Sequence, residues 1–137
     1  MTFYYAKPDQ TYKEHLASVY DAWKDIVQCK RLLIKRMSEK YSFSMERFMK
    51  GSLMTVVLHD IGKNIEPFQK MMDAIRNKSK FDRRKNYRHE LISFNFALHA
   101  WVELDKENKY SAFPLEALAV AGHHLPIELT FSSFERE

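Results

Sequence analysis

The stretch Leu16-Ala-Ser-Val-Tyr-Asp-Ala-Trp-Lys-Asp-Ile-Val27, continued through Leu33, Ile34 and Met37, decides the fold class. Its apolar residues fall at Leu16, Val19, Tyr20, Trp23, Ile26, Val27, Leu33, Ile34 and Met37, the three-and-four spacing of a helix face, while Lys24, Arg31 and Lys35 turn away. One long amphipathic helix is predicted from Thr11 to Lys40. After a serine-rich turn at Ser42 to Ser44, a second helix carries Phe48, Leu53, Val56, Val57 and Leu58 and stops near Gly62. A short helix is predicted over Ile65 to Asn77 and a fourth over Tyr87 to Leu104. Pro114 opens a fifth that runs to Gly122. No β-hairpin is expected before the tail, where Ile127 to Phe131 is the sole candidate strand. The pattern is all-α, a bundle of five helices.

A chain of 137 residues, 45% apolar with three Gly and four Pro, can bury one core, which excludes two full domains and a disordered chain. Cys29 has no partner for an internal disulfide and lies beside the apolar stripe, so it is expected to pack as a small hydrophobe in a reducing compartment. The amino terminus lacks a signal-peptide pattern, and every apolar run falls far short of the ~20 residues of a membrane span. A soluble cytoplasmic protein without a membrane partner is expected. The net charge of +4 is unevenly spread: Arg76 to Arg88 holds seven cations against Asp82, and the remainder is slightly acidic. Such a segment suits a polyanion, and Lys78, Lys80, Arg83, Arg84, Lys85 and Arg88 are the candidate nucleic-acid contacts; a solvated loop is the plain alternative.

Histidines mark the ends of the predicted helices. His59 and Asp60 leave the second helix in Leu58-His-Asp-Ile-Gly-Lys63, His89 opens the fourth, and His123 and His124 close the fifth. Side chains at helix termini can converge from separate helices, and a metal needs such convergence. Taken singly, His89 beside Glu90 reads as a surface or structural residue, and His15, on the border of the first stripe, as an interhelical hydrogen-bonding one. His99 lies ten residues beyond His89, about 15 Å along a regular helix and roughly 80° off its face, so the two cannot share an ion.

Leu58-His59-Asp60-Ile61-Gly62-Lys63 with Pro67-Phe68-Gln69, then Arg88-His89-Glu90 with Ser93, then Gly122-His123-His124, all preceded by Glu14-His15-Leu16, resembles the HD superfamily of metal-dependent phosphohydrolases. Within it the similarity points to the HD nuclease of type I CRISPR systems, fused to or partnering a CRISPR-associated helicase. The resemblance implies an HD-domain helical bundle whose metal site lies at converging helix ends. It implies one ion on His15, His59 and Asp60, with Asp60 bridging to a second on His89, His123 and His124. Asp60 would then be catalytic, and Lys63, one turn from His59, could pair with a substrate phosphate. It also implies cleavage of single-stranded DNA in antiviral interference, beside the helicase and a guide-RNA surveillance complex. One or two divalent ions are expected, with imidazole favouring Mn, Ni, Co, Fe or Zn over Mg.

The family domain continues past Gly-His-His and supplies a later acidic ligand, so residues 1–137 are expected to be a C-terminally truncated HD nuclease domain in which the His89, His123 and His124 site binds its ion more tightly. Two alternatives remain at this point: an HD phosphohydrolase acting on a nucleotide or cyclic dinucleotide, and an inactive helical docking subunit.

Overall fold

A computed structural model of the chain describes residues 4–80, 88–106 and 114–124. Thr11 and Glu14 form a capping box. The Thr11 hydroxyl accepts from the Glu14 N–H at 3.2 Å and the Glu14 carboxylate accepts from the Thr11 N–H at 2.8 Å, which starts helix α1, Tyr12–Tyr41. Helix α1 ends where Ser42 takes the left-handed conformation (φ 55°), and Ser44 caps α2, Met45–Leu58, by accepting from the Arg47 N–H at 3.2 Å. A 3₁₀ turn, Ile61–Asn64, leads into α3, Glu66–Arg76, with Pro67 in its first turn. Helices α4, His89–Lys106, and α5, Leu115–Gly122, complete the five. The fold class and helix order agree with the reading of the sequence. Arg83, Arg84, Lys85, Tyr87 and the candidate strand at Ile127 to Phe131 lie outside the described residues.

The core sits where α4 and α5 meet. Ala97, Ala117 and Val120 are fully buried there, packed against Leu58, Phe94 and Leu98. The two alanines let the helix backbones approach closely, and burying Val120 contributes about 2 kcal/mol. A second cluster, Phe68, Met71 and Met72 on α3, packs against Tyr5 and Ile65. An Arg47–Glu116 ion pair ties α2 to α5.

Two expectations are corrected. The amino terminus does form a hairpin, β1 (Tyr5–Lys7) antiparallel to β2 (Gln10–Thr11). Strands this short show no alternation to detect, and the local signal is the Pro8-Asp9 turn. Gln69 holds the hairpin: its Oε1 accepts from the Tyr5 N–H at 2.8 Å, and its Nε2 donates to the Tyr5 carbonyl at 3.0 Å. Cys29 is exposed rather than packed. On a regular helix it lies roughly 140° around from Trp23, Val27 and Ile34, the residues that line the α1–α2 groove. No helix among the described residues is long and apolar enough to cross a membrane.

Candidate metal centre

Four helix ends supply the site. His15 comes from the first turn of α1, His59 and Asp60 from the end of α2, His89 from the start of α4, and His123 and His124 from the end of α5. The five histidines converge on Asp60, which is 3% exposed. Asp60 Oδ2 lies 2.8 Å from His15 Nε2, 3.3 Å from His59 Nε2 and 2.7 Å from Lys63 Nζ. Asp60 Oδ1 lies 3.1 Å from His89 Nε2 and 3.4 Å from His123 Nε2, and His124 Nε2 is 3.0 Å from His89 Nε2.

The backbone sets which imidazole nitrogen faces inward. His59 Nδ1 is 2.8 Å from the Val56 carbonyl and His123 Nδ1 is 2.6 Å from the Val120 carbonyl. A carbonyl only accepts, so each Nδ1 carries the hydrogen, and in the neutral ring each Nε2 presents a lone pair toward Asp60. Both carbonyls lie three residues back on a terminating helix, where acceptors lack intrahelical partners. His15 Nδ1 is likewise held by Gln10 Oε1, at 3.2 Å.

Lone pairs aimed at a carboxylate repel unless a cation lies between them, and the hydrogen bonding bears this out. Asp60 Oδ1, His15 Nε2 and His123 Nε2 are buried with no hydrogen-bond partner among the described residues. A metal resolves such an arrangement. The donor atoms form two overlapping groups, each within 4.8 Å: His15, His59 and Asp60, and Asp60, His89, His123 and His124. Nitrogen and carboxylate donors in these numbers fit divalent transition metals.

Electrostatics favour an ionised Asp60 and neutral His15 and His124, and pull His59 the other way, toward its charged form. Burial alone would raise the Asp60 carboxyl, but the contacts from His59, His89 and Lys63 override it and hold the group far below the usual carboxylate range. Burial lowers His15 and His124, which keeps them neutral and ready to ligate. Burial also works to lower His59, yet its hydrogen bonds to Asp60 and the Val56 carbonyl raise it.

The surrounding residues hold this centre rigid. Ser93, fully buried, accepts from the Gly62 N–H at 2.9 Å, locking the 3₁₀ turn to α4. A Cβ on Gly62 would collide with the His89 carbonyl, so only glycine allows this approach. Gln69 Nε2 donates to the Lys63 carbonyl at 2.7 Å, and the Phe68 ring packs edge-on against His89 at 5.5 Å.

Of the basic residues singled out in the sequence, Lys78, Lys80 and Arg88 are described, and all are exposed. Arg88 Nε pairs with Glu90 at 2.6 Å. Lys63 is buried on Asp60 rather than standing at the surface. His99 is exposed on α4, away from the cluster.

Sequence reasoning missed Tyr12, a half-buried phenol whose pKa is raised by burial and then by the Asp60 charge. It lies one turn before His15, and that spacing was the signal. Gln10 was missed as well, and no local pattern marks it.

A family model described as "Cas3, HD domain" matches residues 13–133. The chain belongs to the Cas3 HD domain family. A relative named CRISPR-associated endonuclease Cas3-HD, from Pyrococcus furiosus, is 32% identical over 124 residues, covering 86% of this chain and 47% of that protein. The chain thus spans about half the length of the curated relative it matches. Among solved structures, the CRISPR-associated Cas3 HD domain protein from Methanocaldococcus jannaschii superposes with a TM-score of 0.66 at 23% identity, covering 92% of this chain and 61% of that one. That likeness establishes the shared fold, the all-α HD bundle.

Proposed function

We propose that this Cas3 HD domain is a metal-dependent nuclease that hydrolyses phosphodiester bonds of single-stranded DNA in CRISPR interference. It works in the cytoplasm beside a CRISPR-associated helicase and a guide-RNA surveillance complex. The observation that carries the reading is the pair of donor groups that share Asp60. His15 and His59 would hold one divalent ion with Asp60, and His89, His123 and His124 would hold another with the same Asp60 carboxylate. Bound there, two such ions would supply Lewis acidity to activate water near neutral pH and to offset charge on the phosphoryl group. Imidazole donors favour Mn, Ni, Co, Fe or Zn, with Mg the hard-cation alternative.

The protein's own residues do the remaining work. The Val56 and Val120 carbonyls hold the ring tautomers, and Ser93 and Gly62 fix the distance between α4 and the turn that carries Asp60. Lys78, Lys80 and Arg88, with Arg83, Arg84 and Lys85 between them in sequence, would guide the phosphate backbone through contacts that weaken with salt.

The test is cleavage of a labelled single strand with Mn²⁺, run beside a cyclic dinucleotide under the same conditions. Cleavage of the strand that stops with chelator and with Asp60→Ala is expected. Turnover of the dinucleotide alone would overturn the nuclease reading in favour of a nucleotide phosphohydrolase, and strand cleavage that persists in Asp60→Ala would remove the metal centre from it.

A further inference from the structure

The two oxygens of Asp60 are not equivalent. Oδ1 faces only imidazole nitrogens, His89 at 3.1 Å and His123 at 3.4 Å, and makes no hydrogen bond among the described residues. Oδ2 already holds a cation, the Lys63 ammonium at 2.7 Å, on the side where His15 and His59 converge. We propose that Lys63 is a tethered competitor for the ion on the His15 and His59 side, so that the two halves of the centre load unequally. This rests on the two-ion reading given above.

Lys63 is placed for that role by its backbone. It sits in the 3₁₀ turn three residues after Asp60, its N–H donates to the Asp60 carbonyl at 2.9 Å, and its own carbonyl accepts from Gln69. The main chain is fixed on both sides, and the side chain, 9% exposed, reaches Oδ2 with no other acidic partner among the described residues. An ammonium and a divalent ion compete for the same lone pairs on one oxygen. An ion arriving at Oδ1 meets no other cation on that oxygen and gives up only the exposed His89–His124 hydrogen bond, whereas an ion arriving at Oδ2 must displace a buried ammonium from its carboxylate, and breaking a buried pair carries a penalty. The ion held by His89, His123 and His124 therefore binds first and more tightly. Lys63 is a positioning residue here: while the second ion is absent it keeps Asp60 ionised and aimed.

Calorimetric titration with Mn²⁺, paralleled by Co²⁺ absorption, reads this without any measure of turnover. The wild-type chain is expected to show two steps at least tenfold apart in affinity, with His123→Ala removing the tighter one. Lys63→Met and Lys63→Gln, checked for native helicity by circular dichroism, are expected to tighten the weaker step at least tenfold and leave the tighter step in place. Lys63→Arg, which keeps the cation, retains the wild-type gap. Two equal steps in the wild type would overturn the inference while leaving the two-ion reading intact. So would a weaker step unmoved by both neutral variants, which would trace the inequality to a cause other than Lys63. No uptake of either ion by any form would overturn the two-ion reading and this inference together.

Discussion

At the converging helix ends the buried residues are polar: Asp60, Lys63, Glu90 and Ser93 all lie inside, each against a charged or hydrogen-bonding partner. Along the far half of α1 the opposite holds, and Ile26, Leu33 and Met37 are large apolar residues that stand exposed. Burying the first set opposes folding unless the partners are fixed in place, and leaving the second set in water forgoes the usual gain of burial. The contrast locates rigidity in this molecule. It resides in the 3₁₀ turn and the α4–α5 core behind the histidines rather than in the longest helix.

The largest effect expected from that contrast is at Asp60. Asp60→Asn keeps the shape of the side chain but leaves the Lys63 ammonium buried without its countercharge, a situation that costs about 3–5 kcal/mol. It also removes the negative charge that both donor groups share and turns one of the two carboxylate oxygens into an amide nitrogen that cannot ligate. Chemical denaturation of the metal-free chain is expected to show the loss of stability, and equilibrium dialysis is expected to show both ions lost. A variant as stable as the wild type would mean that the polar end is not held by this pair.

Next in size is Gly62→Ala. The added methyl meets the His89 carbonyl, which is backbone at the start of α4 and cannot rotate away. Displacing it costs about 3 kcal/mol and moves His89 from Asp60. Thermal melts are expected to drop, and metal affinity on the His89, His123 and His124 side is expected to fall with them. A melt unchanged from wild type would show that the turn and α4 can separate without consequence.

Much of this polar end could be read from the sequence because helix termini announce themselves. Gly62, Pro114 and the Ser42 to Ser44 turn mark where helices stop and start, so the histidines beside them fell on ends that can meet. Which histidines would share an ion is implied only by the family resemblance; the fold brings their side chains together in two groups around Asp60. The burial of Lys63 escaped, since a lysine after a helix end reads as surface until its carboxylate partner is known to be buried. The hairpin escaped because five strand residues carry no periodicity. On α1 the failure was of another kind. The apolar spacing predicts one stripe, yet the residues form two: Trp23, Val27 and Ile34 line the groove against α2, while Ile26, Leu33 and Met37 lie to one side. Spacing reports that apolar residues cluster on a helix, and it does not report how many neighbours will cover them.

That division yields the smallest and most discriminating expectation. Val27 is half-buried in the groove, so Val27→Ala removes packed methyl groups and is expected to cost about 1–2 kcal/mol. Leu33 is 53% exposed, so Leu33→Ala removes a side chain that is largely in water already, and the cost is expected to stay within about 0.5 kcal/mol. Paired urea titrations of the two variants read the difference directly, since both substitutions leave the slope of the transition almost unchanged. If Leu33→Ala costs as much as Val27→Ala, the second stripe is covered in solution, and dilution then separates the causes. A loss that shrinks at lower protein concentration would assign the cover to a second copy of the chain, because only an association depends on concentration. A loss independent of concentration would place the cover within the same chain, and the apolar half of α1 would join the site end as part of one continuous core.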